Sequence, residues 1–174
     1  MAEHHGIGFI GLGSIGQRML AQAWNHPRVQ PTVAWDLAAE RLAQTVANSV
    51  GLRAAADVNS LINDDAVDVV YIASPPLTHA AHANAALEFG KPVLCEKPLG
   101  IDIATSEALA ARATASGIAH GVNFIFASAH PTTQIEQALA QTELGEIKGA
   151  EAQLHLPCHL YTSDAADDPT PLKP

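Results

Sequence analysis

Ile7-Gly8-Phe9-Ile10-Gly11-Leu12-Gly13-Ser14-Ile15-Gly16 is the stretch on which the fold of this chain turns. A short apolar run leads straight into a G-x-G-x-x-G string, and that string opens a segment, 15–24, that reads as a helix. In a strand–turn–helix context such a string has a physical meaning. The first glycine permits the tight turn, the second lets backbone approach a pyrophosphate, and the third lets helix and strand pack closely. The helix start adds free N–H groups and the positive end of its dipole.

Working outward, short β-rich runs alternate with longer Ala-rich helical stretches. Strands are predicted at 6–10, 32–35, 67–73, 92–95 and 118–124, and helices at 15–25, 38–49, 58–63, 79–89 and 103–116. Several of the strands are continuously apolar, as parallel strands covered on both faces are. Gly51, Gly90 and Gly117 fall where helices should stop, the usual place for a left-handed residue. Repeated βαβ order with short connections predicts an α/β fold, a doubly wound parallel sheet with right-handed crossovers. After Phe124 the pattern changes: one more helix is predicted over 131–142 and an alternating strand over 146–156. Only the start of a second, α+β domain is therefore expected. The domain reading is 1–124, 125–156, and a tail over 157–174 that is rich in Asp, Pro and Thr and expected to be disordered.

Composition excludes several classes of function. Nine Lys and Arg against eighteen Asp and Glu give a formal net charge of -9, which disfavours binding to a phosphate backbone, so no nucleic-acid partner is expected. Cys95 and Cys158 are the only cysteines, too few for a disulfide framework or a Cys-based zinc site. No basic-then-apolar leader opens the chain, and no apolar run reaches membrane-spanning length, so a cytoplasmic protein without a membrane partner is expected.

Asp36 ends the second predicted strand, twenty positions after Gly16. An acid there can accept from both adenosine ribose hydroxyls and repel a 2′-phosphate. It is equally placed to cap the helix over 38–49. No Arg is expected nearby to reward that phosphate, Arg41 lying a helical turn later, so NAD is favoured over NADP. Ser74 and Pro75 close the strand over 67–73 at its carboxyl edge, where ligands of open α/β sheets bind. His79 lies near the same cleft. His79 and His82 are one turn apart, but further ligands at metal spacing are missing and no metal is expected. Glu96-Lys97-Pro98 ends another buried-looking strand. A Glu–Lys ion pair closing a loop would explain that pair structurally. Alternatively, a lysine at this edge can donate to a substrate hydroxyl or carbonyl and help move its proton. Lys97-Pro98 is a candidate for a cis bond, and Cys95 reads as a small buried hydrophobe.

The strings Gly-Leu-Gly-Ser-Ile-Gly (11–16), Val-Asp-Val-Val-Tyr-Ile-Ala-Ser-Pro-Pro-Leu-Thr-His (67–79) and Ala-Leu-Glu-Phe-Gly-Lys-Pro-Val-Leu-Cys-Glu-Lys-Pro-Leu (86–99) resemble the glucose–fructose oxidoreductase / inositol dehydrogenase / rhizopine-catabolism (Gfo/Idh/MocA) family. The resemblance runs from about residue 7 to 156. It implies a Rossmann-type nucleotide-binding domain and a nicotinamide-dependent oxidoreductase acting on sugars, cyclitols and related polyols, commonly as a homo-oligomer. It carries Lys97 over as the substrate-contacting catalytic lysine and Glu96 as its partner near the nicotinamide. Gly11, Gly13, Ser14, Ile15, Gly16, Asp36, Ser74, Pro75 and His79 carry over as cofactor contacts, and Asn123 as a polar residue facing the substrate. The family's second domain normally adds an Asp-x-x-x-His pair, whereas Asp164, Asp167 and Asp168 have no His four residues later. Residues 158–168 also resemble the translation of a sequencing-library adapter, which implies a truncated coding sequence near Pro157; an ordinary acidic tail is the alternative. The chain alone is then expected to bind NAD weakly and turn over little. A non-catalytic NAD- or sugar-binding sensor on the same fold, or a scaffolding fragment that meets no nucleotide, is the competing reading.

Overall fold

The computed structural model describes residues 4–127 and 129–140, with isolated positions 148, 149, 151 and 153. It divides into two units, Met1–Asn123 and Phe124–Pro174. The first unit alternates strands and helices: β1 (His5–Ile10), α1 (Ser14–Trp24), β2 (Val29–Trp35), α2 (Ala39–Ala47), β3 (Arg53–Ala54), α3 (Val58–Ile62), β4 (Val69–Ile72), α4 (Pro76–Glu88), β5 (Val93–Glu96), α5 (Ile103–Ser116) and β6 (His120–Asn123). The second unit contributes α6 (His130–Ala140). The strand predicted over 146–156 and the tail over 157–174 lie outside the described residues, apart from isolated positions.

Among the described residues the strands form one six-stranded parallel sheet, in the order β3-β2-β1-β4-β5-β6. This is the predicted doubly wound sheet. Its direction of winding reverses between β1 and β4, and the crevice at their carboxyl ends is where such sheets bind ligands. Side-chain alternation along the strands explains the two cores. Ile10, Val70 and Ile72 join Leu61, Ala83, Ala86, Leu87 and Leu109 from α3, α4 and α5. Phe9 and Tyr71, one residue out of phase, join Leu20 and Ala23 of α1 instead, with their rings edge to face at 5.4 Å.

The structure moves several predicted boundaries. β2 starts three residues earlier than expected and carries Pro31 inside it. Proline has no N–H for the ladder, and the pairing with β1 shifts there, Ile7 opposing Pro31 and Gly8 opposing Val33. Thr32, left out of register, donates its hydroxyl to the carbonyl of Ala66 at 2.8 Å. α4 starts at Pro76 rather than at 79, because proline suits a first helical position whose N–H has no helical partner. β3 was not predicted, its two residues being too few to show a period. Gly90 and Gly117 stop α4 and α5 with φ of +69° and +67°, but Gly51 (φ +86°) sits beyond the end of α2, in a separate turn. Among the described residues, no helix is long and apolar enough to cross a membrane.

Candidate functional site

The turn between β1 and α1 contains three glycines with different reasons for being glycine. Gly11 has φ +92°, and a Cβ there would lie 2.5 Å from the Ser74 nitrogen of the neighbouring strand end. A Cβ on Gly16 would lie 2.1 Å from the Gly11 carbonyl oxygen, so α1 could not pack this close to the turn. Gly13 is different. Its φ of -64° and ψ of -170° suit any residue, and a Cβ there meets nothing within 4 Å. Nothing in the chain requires glycine at this position, but a group approaching from outside would. Gly13 also stands as the N-cap of α1 with no side-chain cap and no acid in the first turn. Ser14 and Ile15 thus open a helix whose N–H groups and dipole face that space, a donor set that fits a pyrophosphate.

Asp36 follows β2 and reaches back to this turn. Its Oδ2 accepts from the Leu12 N–H at 2.6 Å and its Oδ1 from the Ala38 N–H at 2.8 Å. The N-cap of α2 is Ala38, so Asp36 does not act as the helix cap anticipated from sequence; it clamps the glycine turn to the start of α2. The expectation that no Arg stands near Asp36 is also corrected. Arg41 Nη1 lies 3.3 Å from Oδ1 and 3.4 Å from Oδ2, because one helical turn of α2 brings it back over the carboxylate.

At the carboxyl end of β4, Ser74 and Pro75 lead into α4, and the Thr78 hydroxyl donates to Ser74 Oγ at 2.8 Å. His79 is buried (1% exposed). Its Nδ1 lies 2.7 Å from the Pro98 carbonyl oxygen and its Nε2 2.7 Å from that of Ser74. The ring therefore ties the end of β4 to the turn after β5, and that turn contains a cis Lys97-Pro98 bond. His82, by contrast, packs edge to face on Trp35, and burial pushes its pKa down, with His79 adding to the effect. Among the described residues no group of three or more potential metal ligands occurs.

Glu96 ends β5 and is 8% exposed. Its Oε1 accepts from the Tyr71 hydroxyl at 2.7 Å and from Asn123 Nδ2 at 2.5 Å. No ion pair joins Glu96 to Lys97 among the described residues, so the loop-closing pair considered above is not how the acid is held. Lys97 is exposed. Burial, reinforced by the bond to Glu96, raises the Tyr71 pKa far above its ordinary value. Cys95 is free and buried, its thiol pushed up to about 12 by burial and then by Glu96.

The sequence reading missed Tyr71 as a partner of Glu96. A signal existed, since a tyrosine inside an apolar strand must place its hydroxyl on a partner. Asn123 is opposite Glu96 in the β5–β6 register, which a single sequence does not show. An apolar hollow lined by Leu87, Cys95, Leu109 and Val122 lies between α4, α5 and the sheet, separate from the glycine turn.

Residues 5–124 match the family described as "Oxidoreductase family, NAD-binding Rossmann fold". Inositol 2-dehydrogenase 1 of Mycolicibacterium vanbaalenii is 36% identical over 114 residues, covering 65% of this chain and 33% of that protein. The scyllo-inositol 2-dehydrogenase (NADP(+)) IolU of Bacillus subtilis is 33% identical over 109 residues, covering 63% of this chain and 33% of its own. A probable dehydrogenase from Thermotoga maritima superposes with a TM-score of 0.76 at 25% identity, over 80% of this chain and 42% of that one. The matches thus span about a third of the length of these two curated relatives.

Proposed function

Because the chain belongs to the Gfo/Idh/MocA oxidoreductase family, we propose that it supplies the NAD(P)-binding domain of an enzyme that oxidises or reduces a sugar, cyclitol or related polyol. The observation that carries this reading is Gly13, a glycine with no conformational or packing reason inside the chain, facing the uncapped start of α1. The inositol dehydrogenases among the relatives support the cyclitol end of the substrate range.

In this reading the turn Gly11–Gly16 and the first N–H groups of α1 bind the pyrophosphate, and Asp36 receives the adenosine ribose, which favours NAD. Ser74 and Pro75 form the neighbouring wall, with His79 bracing it from beneath. The nicotinamide ring, when bound, supplies the hydride acceptor or donor. Lys97, exposed at the end of β5, donates a hydrogen bond to the substrate hydroxyl or carbonyl oxygen and assists the movement of its proton during hydride transfer. Glu96, held from two sides by Tyr71 and Asn123, fixes the strand end from which Lys97 projects. Asn123 spends its amide on Glu96 and thereby orders the same edge.

Calorimetric titration of the chain with NAD and NADP tests the reading. Saturable binding of at least one dinucleotide, weakened by Gly13→Val in a variant that still melts cooperatively, is the expected result. Absence of binding by the wild type at millimolar dinucleotide would refute it.

A further inference from the structure

Both ring nitrogens of the buried His79 face backbone carbonyls. Nδ1 lies 2.7 Å from the Pro98 oxygen and Nε2 2.7 Å from the Ser74 oxygen. A carbonyl oxygen can only accept, and a neutral imidazole carries one N–H and one bare lone pair. The neutral ring therefore satisfies one carbonyl and turns its lone pair on the other. The doubly protonated ring donates to both. Among the described residues neither nitrogen has a second partner that could reverse this polarity.

Burying a charge is costly. Here two charge-assisted hydrogen bonds offset that cost, whereas the neutral ring leaves a buried acceptor unmet. The surrounding ionisable groups leave the charge to the two carbonyls. On α4, burial and then the charge of His79 push the His82 pKa down, and Glu88 pairs with Arg112 of α5. On α5, Asp102 accepts from Thr105 and Glu107 is exposed. At the strand ends, Glu96 accepts from Tyr71 and Asn123. The Cys95 thiol is pushed up to about 12, and Lys97 is exposed. No carboxylate forms an ion pair with His79 among the described residues.

The two carbonyls belong to segments with different roles. Ser74 follows β4 and opens the wall beside the glycine turn, and Pro98 follows Lys97. One planar ring bonded to both sets the spacing between that wall and the lysine turn. A ring that donates to one of them leaves the spacing slack.

We propose that His79 is a buried imidazolium and a positioning residue: donating to Ser74 and Pro98 at once, it sets the Lys97 turn against the wall of the cleft, and it releases one of them when it loses a proton. The charge state stands on the two contacts alone; its bearing on a bound dinucleotide rests on the reading of the cleft given above.

Long-range proton–nitrogen correlation spectra of the histidine-labelled chain read the ring directly, with His79 assigned by its loss in His79→Gln. At about pH 8, above the ordinary histidine value of about 6.5, the exposed His26 and His130 should each show one bare nitrogen. His79 is expected to show two protonated ones. As pH rises further, the amides of Ser74 and Leu99 should shift with the midpoint of the ring. NAD affinity should fall about fivefold across the same midpoint, the effect of one lost hydrogen bond, and His79→Gln should lack that step. A bare nitrogen on His79 at about pH 8 overturns the charge state. A charged ring whose titration leaves the Ser74 and Leu99 amides, or NAD affinity, unmoved overturns the positioning role. If the chain binds no dinucleotide at any pH, the reading of the cleft fails, and the spectra still decide the state of His79 and its hold on the two segments.

Discussion

Alanine at Gly13 and at Gly16 should separate two jobs that one turn performs. At Gly16 the new Cβ would lie 2.1 Å from the Gly11 carbonyl oxygen and 2.9 Å from its carbon. Those atoms are backbone and cannot rotate away, so α1 has to lift from the turn or the turn has to open. Overpacking of this kind costs about 3 kcal/mol, a large share of the roughly 5–15 kcal/mol that holds a domain together. For a unit of this size, that lowers the melting temperature by roughly 10–15 °C. At Gly13 the Cβ meets nothing within 4 Å and the backbone suits alanine. What is lost there is the small preference of an N-cap for glycine over alanine, about 1 kcal/mol or less. A shift below about 5 °C is expected. Dinucleotide affinity should fall in the opposite order of stability. The Gly13 methyl stands where backbone and pyrophosphate must approach, and Gly13→Ala should weaken NAD at least about tenfold. Differential scanning calorimetry gives the first quantity and isothermal titration the second. The reasoning is refuted if Gly13→Ala binds NAD like wild type, or if Gly16→Ala melts like wild type.

Tyr71→Phe should cost about 1–2 kcal/mol, because it removes a donor from a buried carboxylate that keeps Asn123 as its second partner; a double-mutant cycle with Glu96→Gln measures the coupling directly. Since burial raises the Tyr71 pKa, the folded chain holds that proton more tightly than the unfolded one. Its contribution is complete below about pH 10 and is lost as pH rises further, so Tyr71→Phe should flatten the alkaline side of a stability–pH curve. On the acid side, Asp57 and Asp102 are held below the ordinary carboxyl range by the backbone N–H groups of Ser60 and Thr105. Their contribution is complete above the unfolded carboxyl value of about 3.9 and is lost as pH falls through the lower folded values; Asp102→Asn should make the acid limb of urea-denaturation midpoints shallower.

What the chain announces in one dimension is whatever short-range chemistry decides. The glycine string, the apolar run before it and the helix after it are contiguous, so their strand–turn–helix form was legible from residue types alone. The end of β5 at Glu96-Lys97-Pro98 was legible for the same reason, as were the glycines that stop α4 and α5. Periodicity sufficed for the doubly wound sheet, since buried parallel strands read as apolar runs between helices. It failed at β3, which is too short for a period, and at Pro31, where a shift in pairing with β1 accommodates a residue that ordinarily ends a strand. The contacts that shape the candidate site were set by tertiary structure. Tyr71, Glu96 and Asn123 meet because β4, β5 and β6 are neighbours in the sheet, an adjacency no spacing along the chain encodes. Asp36 accepts from the Leu12 N–H because β1 and β2 are neighbours in the sheet. Local propensity chooses the elements, whereas hydrogen-bond partners such as Leu12 for Asp36, or Tyr71 and Asn123 for Glu96, are brought together only when distant elements are packed.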